Sequence, residues 1–172
     1  MEKTISIRRA TPDDVPAVLE LFDDCIAWFT EIGNTEQWGT EPWSSQDRQV
    51  SRVEEACALP ESWVAVADTG TVSGFIALGD AMPYVPVAER PELYVRVLIA
   101  SRDPNIRGIG RQLMGFADER AIALGVTDLR LDCFGGGTGA LVKYYESCGY
   151  ERAGTFDDGG WPGQILTRSL AR

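Results

Sequence analysis

Apolar residues recur along this chain with two periods, and the period changes where the elements change. Ile5 and Ile7 alternate with polar neighbours as on a strand, and Thr11-Pro12-Asp13-Asp14 reads as a helix N-cap with proline in the first turn. From about Pro12 to Thr30, Val15, Val18, Leu19, Phe22, Ile26 and Phe29 return at three- and four-residue steps, which makes one buried helical stripe. Gly33-Asn34 ends that helix, a tryptophan-rich connection follows, and Ser44-Ser45-Gln46-Asp47 opens a second helix reaching about Ala58. Trp63 to Ala67 and Val72 to Leu78 then read as strands either side of a hairpin turn, Asp68-Thr-Gly-Thr71. Pro83, Pro86 and Pro91 make the segment from Gly79 to Pro91 a loop. After it come a strand from Leu93 to Ala100, a glycine turn, a helix from Arg111 to Leu124 and a strand from Asp128 to Phe134. A short helix from Ala140 to Ser147 and two strands, near Tyr150 to Phe156 and Gln164 to Leu170, complete the pattern. That order predicts a single domain over residues 1–172, built on one mixed sheet covered on both faces.

Composition narrows the chemistry. The sequence contains no histidine, so neither a Ser-His-Asp or Cys-His set nor a histidine-ligated metal can be assembled from it. Cys25, Cys57, Cys133 and Cys148 are too far apart for a C-x-x-C pair, so no metal site is expected and the thiols suit a reducing compartment. No stretch approaches the roughly 20 apolar residues of a membrane span, and the N-terminus has no signal-like apolar core, so a cytoplasmic protein without a membrane partner is expected. The net charge of −10 repels nucleic acid, and it attracts a cationic small molecule.

The candidate ligand site is Asn105-Ile-Arg-Gly-Ile-Gly-Arg111, a glycine-rich turn between a strand and a helix. The first N–H groups of a helix lack internal partners and carry partial positive charge, so this turn can hold a phosphorylated cofactor. Two other readings fit the same turn. One is a dinucleotide-binding G-x-G-x-x-G unit, although its third glycine position is Leu113; the other is a helix cap without a ligand.

Taken with two further segments, the turn resembles the GNAT superfamily of acyl-CoA-dependent N-acetyltransferases over nearly the whole chain. Arg107-Gly-Ile-Gly-Arg111 is similar to the family's Q/R-x-x-G-x-G/A turn, with Asn105 at its first position. Leu129-Arg-Leu-Asp-Cys133 followed by Leu141 to Tyr150 is similar to the family's strand, helix and Y-x-x-x-G-F ending, and Ile5 to Asp14 is a common opening of such proteins. The resemblance implies an α/β (α+β) fold with a mixed, mostly antiparallel sheet, helices on both faces and central strands splayed for the cofactor.

It further implies acetyl-CoA as co-substrate, with Asn105, Arg107, Gly108, Ile109, Gly110 and Arg111 at its pyrophosphate. Thr138, Leu141 and Tyr144 are expected along its pantetheine arm, and a backbone N–H of Val97, Leu98 or Ile99 at the thioester oxygen. The acceptor is expected to be a primary amine of a small molecule, attacking directly through a tetrahedral intermediate. Tyr145 stands at the family position of the acid that protonates the departing thiolate. Without histidine, a carboxylate must take the amine proton, and Glu92 at the start of the central strand is the candidate. The acceptor pocket is expected near Trp28 to Trp43, where three tryptophans interleave with Glu31, Glu36 and Glu41. A CoA-binding regulatory module without turnover and a nucleotide-dependent oxidoreductase remain as alternatives, and homodimerisation through the last strands is left open.

Overall fold

The computed structural model describes residues 5–171. The strands are β1 (Ile5–Arg9), β2 (Glu61–Ala67), β3 (Val72–Gly79), β4 (Glu92–Ala100), β5 (Asp128–Phe134), β6 (Glu151–Asp158) and β7 (Trp161–Ser169). The helices are α1 (Val15–Glu31), α2 (Asp47–Cys57), α3 (Ile109–Ala123) and α4 (Ala140–Ser147), and short 3-10 turns at Pro12–Asp14 and Trp43–Ser45 precede α1 and α2. The sheet has seven strands in the order β1-β2-β3-β4-β5-β7-β6. Its β4–β5 pair is parallel, and the β1–β2, β2–β3, β5–β7 and β6–β7 pairs are antiparallel. The chain divides into two compact units that share β4 and α3.

The first unit comprises the chain to Leu78 together with Val97–Leu113. Its helical start is set by Asp14, whose carboxylate accepts the Thr11 N–H at 2.8 Å and both arms of Arg8 at 2.9 Å. That cap ties β1 to α1 and holds the Asp14 carboxyl below its ordinary range, chiefly through the Arg8 hydrogen bonds. Val18, Phe22, Cys25 and Ile26 of α1 pack with Val53 and Cys57 of α2 against Val64, Phe75, Ala77 and Ile99. Trp43 stacks on Phe22 at 4.0 Å between ring centroids and Trp38 meets the same ring edge-on at 5.2 Å, so these tryptophans close the core under the connection between α1 and α2.

On β3, Gly74 leaves out a side chain at a crowded point. A Cβ there would lie 2.5 Å from Cγ2 of Ile109 and 2.9 Å from Cδ1 of Leu113, so the first turn of α3 sits directly on the strand. The helix therefore starts at Ile109, two residues before the position its polar pattern suggests: Ile109 is 2% exposed and belongs to the buried face.

The second unit comprises Gly79–Arg96 and the chain from Met114. The register pairs Asp132 with Ile165 and Phe134 with Gly163 across β5 and β7, then Ile165 with Gly154 and Gly163 with Phe156 across β7 and β6. β4 enters this unit in parallel with β5 over four residue pairs, Glu92↔Asp128 to Val95↔Leu131. The proline-rich stretch is a loop, as expected, anchored by Val85, which packs with Tyr94 and Ile165. Arg168 of β7 donates to Asp118 of α3 and to the Gly149 carbonyl. Gly149 has a φ of +94°, and a Cβ on it would lie 1.9 Å from the Arg168 guanidinium, so only glycine fits after α4.

Gly74→Ala is expected to lower stability by about 1–3 kcal/mol, because a methyl there overpacks the contact between β3 and α3. The urea unfolding midpoint measures it, and a wild-type midpoint would contradict the assigned contact.

Candidate functional site

In the first unit, β4 leads through an exposed loop into α3. Ser101 N–H donates to the Ser73 carbonyl at 2.8 Å and fixes the end of the strand. The loop then turns on Asp103, whose Oδ1 accepts the Asn105 backbone N–H at 2.9 Å and the Asn105 side-chain amide at 3.1 Å. Asn105 is thus a turn-holding residue. Arg107 Nε donates to the Pro104 carbonyl at 3.3 Å, and Arg107 and Gly108 are both exposed. Gly108 has a φ of +76° and open space where a Cβ would project, so glycine is required there by backbone conformation. The Gln112 N–H donates to the Gly108 carbonyl at 3.0 Å as the first helical bond. The amides of Ile109, Gly110 and Arg111 precede it and form the positive end of α3. Val97 and Leu98 are half-buried and Ile99 is buried, in a strand whose preceding residues Leu93 to Val95 are all buried. Burial is thus relaxed at Val97 and Leu98, in the stretch expected to carry the oxyanion-binding amide, while Ile99 stays in the core.

In the second unit, Glu92 is committed to an ion pair. Its two carboxylate oxygens accept Arg130 Nε at 2.9 Å and Nη2 at 2.7 Å, with both side chains nearly buried, and Arg130 also donates to the Pro86 carbonyl at 2.6 Å. Glu92 and Asp128 stand opposite each other in the β4–β5 register, as do Tyr94 and Arg130. The pairing of Glu92 with Arg130 is therefore a diagonal contact on one face of neighbouring strands, which position in sequence alone does not reveal.

Two residues beyond Arg130, Asp132 carries a second carboxylate. The Tyr94 hydroxyl donates to its Oδ2, and the Tyr84 hydroxyl lies 3.2 Å from each oxygen. Burial raises the Asp132 carboxyl above the usual carboxylate range, while the two phenols and the charge of Arg130 pull it partly back. Tyr84, Tyr94 and Asp132 were not among the expected site residues. The signal in the sequence is an aspartate inside the otherwise apolar run Leu131-Asp-Cys-Phe134.

On α4, Val142 and Tyr145 form the buried line, Leu141, Tyr144 and Cys148 are half-buried, and Thr138 is exposed. The Tyr145 ring contacts Tyr144 edge-on at 5.2 Å. Burial pushes its pKa well above that of an ordinary phenol, with smaller contributions from neighbours that include Cys133. Tyr145 therefore stays protonated at neutral pH and has a proton to give.

Trp38 and Trp43, by contrast, belong to the core of the first unit, and Glu31, Glu36 and Glu41 are all exposed. The expected aromatic and acidic acceptor pocket is not what that segment forms. Trp28 instead has the Arg102 guanidinium 3.6 Å above its ring. Among the described residues no cluster of acidic or cysteine side chains could hold a metal ion, and no helix is long and apolar enough to cross a membrane.

A model of the acetyltransferase (GNAT) family matches residues 20–150. Among solved structures, a Salmonella typhimurium protein described as an acetyltransferase and solved with its cofactor acetyl-CoA superposes with a TM-score of 0.68. It is 16% identical over 98% of this chain and 95% of its own. Ribosomal-protein-alanine N-acetyltransferase from Brucella melitensis is 23% identical, covers 96% of this chain and 99% of its own, and gives a TM-score of 0.66. Aminoglycoside 6'-acetyltransferase type Ii gives 17% identity, 97% and 98% coverage and a TM-score of 0.64. No curated protein sequence matches the chain significantly.

Removing one partner of the Glu92–Arg130 pair strands the other charge in a nearly dry site. Arg130→Met is expected to cost about 3–5 kcal/mol, and the double variant with Glu92→Gln to recover a large part of that loss. A double-mutant cycle from urea unfolding measures it, and additive losses would show that the pair is not coupled.

Proposed function

The chain belongs to the acetyltransferase (GNAT) family, which transfers an acyl group from acetyl-CoA, and we propose that its acceptor is the primary amine of a small molecule. The observation that carries this reading is the loop from Asp103 to Gly110, where exposed backbone, a left-handed Gly108 and the positive end of α3 coincide. Arg107, Gly108, Ile109, Gly110 and Arg111 would hold the pyrophosphate of CoA there, because their amides offer directional donors to an anion. Asn105 would shape this cradle through Asp103 and make no direct contact of its own. Thr138, Leu141 and Tyr144 would lie along the pantetheine arm.

Bound acetyl-CoA supplies an activated acetyl carbonyl and a thiolate leaving group. This chain's residues then have three tasks. A backbone N–H among Val97, Leu98 and Ile99 would donate to the carbonyl oxygen as negative charge gathers on it. Tyr145, kept protonated by burial, would give its proton to the departing sulfur. A carboxylate would free the amine of its proton. Glu92, with both oxygens on Arg130, serves structure first.

A small cationic acceptor suits the charge of −10, and one relative carries an aminoglycoside acetyltransferase name. The name of another relative specifies a ribosomal-protein alanine, so an N-terminal alanine peptide belongs in any acceptor screen. We also place the protein in the cytoplasm, where four cysteines that form no disulfide remain reduced.

Isothermal titration is expected to show micromolar acetyl-CoA binding with no comparable binding of NAD or ATP, followed by amine-dependent thiol release. Folded protein that fails to bind acetyl-CoA would overturn the reading, and binding without release by any amine or peptide would mark a sensor. Tyr145→Phe is expected to lower kcat about 100-fold while leaving acetyl-CoA affinity unchanged. An unchanged kcat would reduce Tyr145 to a packing residue.

A further inference from the structure

The Asp132 carboxylate is more than half removed from water, yet its hydrogen-bond partners among the described residues are two phenols, Tyr94 and Tyr84. Arg130 is the neighbouring cation, but its guanidinium is spent on Glu92 and the Pro86 carbonyl. The face shared by Glu92, Arg130 and Asp132 therefore keeps one negative charge without a contacting cation. Two phenols stabilise its charge only in part, so a positive group from outside would find a ready partner in it.

The surroundings describe that partner. Tyr94 is fully buried and holds the carboxylate from below, whereas Tyr84 is 51% exposed and covers it from the solvent side. Tyr84 meets Phe156 at 5.2 Å between ring centroids, Phe156 meets Trp161 at 6.1 Å, and Trp161 meets Phe134 at 5.7 Å. Phe134, Gly163 and Phe156 share a row across β5, β7 and β6, directly beside the row of Asp132, Ile165 and Gly154. Gly163 leaves room for the Phe156 ring, which a Cβ there would approach to 2.2 Å. An aromatic border around an uncompensated carboxylate fits an organic ammonium, through charge pairing and the faces of the rings. Asp132 also follows directly on Leu131, the last β5 residue in register with β4.

We propose that Asp132, held by Tyr94 and bordered by Tyr84, binds the ammonium group of the acceptor and takes its proton. This rests on the acetyltransferase reading. The ammonium N–H bond breaks as a carboxyl O–H bond forms, the freed lone pair makes the new C–N bond of a tetrahedral intermediate as the C=O π electrons move to oxygen, and collapse of that intermediate restores the C=O bond and breaks the C–S bond toward sulfur. Sulfur takes the Tyr145 proton, the second proton lost by nitrogen restores Tyr145, and Asp132 returns its own to solvent past Tyr84. Tyr94 is a positioning residue. The groups facing Asp132 are Tyr94 from β4, Arg130 on β5, Tyr84 from the loop, and the uncharged Ile165 and Gly154 from β7 and β6. Burial makes this carboxylate a stronger base than a solvated one, and kcat/KM should fall on the acid side as it protonates.

The test titrates 13C-carboxyl-labelled protein with phenethylammonium, using neutral 2-phenylethanol as the control, and assigns the Asp132 resonance by its absence in Asp132→Asn. The resonance is expected to move with the amine and not with the alcohol. In parallel, Asp132→Asn should retain acetyl-CoA affinity, lose the acid limb of the pH profile and release thiol about 100-fold more slowly over a panel of primary amines. Tyr84→Phe, a surface change that leaves the ring in place, should raise KM for the amine several-fold. A resonance indifferent to the amine overturns the ammonium site, and wild-type turnover in Asp132→Asn overturns the proton role. Wild-type protein that fails to bind acetyl-CoA would instead sink the acetyltransferase reading, since the carboxyl titration needs no CoA.

Discussion

The contact of α3 with β3 at Gly74 is the constraint on which the proposed cofactor site depends. A helix start can present its amides to an anion only if the surrounding structure fixes where that start lies. Here the absence of one Cβ lets Ile109 and Leu113 seat on the strand, and the exposed loop before them must then close in few residues. The Asx turn at Asp103 and the left-handed Gly108 provide that closure. Local backbone chemistry and tertiary packing thus agree on one position for the positive end of α3, and the proposed phosphate site depends on that agreement.

Charge placement organises the other unit. Arg130 and Glu92 neutralise each other in a bidentate pair, which leaves Asp132 as the carboxylate with chemistry to offer. The difference between the two acids is one of partners. Glu92 accepts from a guanidinium that holds both of its oxygens, whereas Asp132 accepts from phenols, which are weaker donors and leave its charge available. Tyr145 on α4 and Asp132 on β5 divide the proton work in the proposed reaction, one kept protonated by burial and the other made more basic by it.

Element existence was legible from periodicity almost throughout, because α1, α4 and β5 bury stripes whose spacing is set by helix and strand geometry. Boundaries slipped where the deciding fact was tertiary. Ile109 joins α3 because Gly74 lies beneath it, and β7 begins at Trp161, ahead of the expected start, because it pairs back to Asp158. The turn before α3 was legible because a glycine-rich helix start is local in sequence. The proposed proton acceptor was not, since Arg130 and Tyr94, which separate the roles of Glu92 and Asp132, each lie 38 residues from their partner on a neighbouring strand. The tryptophans misled for a related reason: interleaving with glutamate suggested a cation pocket, but Phe22 on α1 draws Trp38 and Trp43 into the core.

The central claim is that the start of α3 and the Val97 to Ile99 stretch of β4 form the acetyl-CoA surface. Backbone amide shift mapping by 15N NMR during an acetyl-CoA titration tests it most directly. The account predicts that the largest changes fall on Arg107 to Arg111 and on Val97 to Ile99, with residues of α2 unaffected. Saturating acetyl-CoA that leaves those amides unmoved, or shifts centred elsewhere, would contradict it.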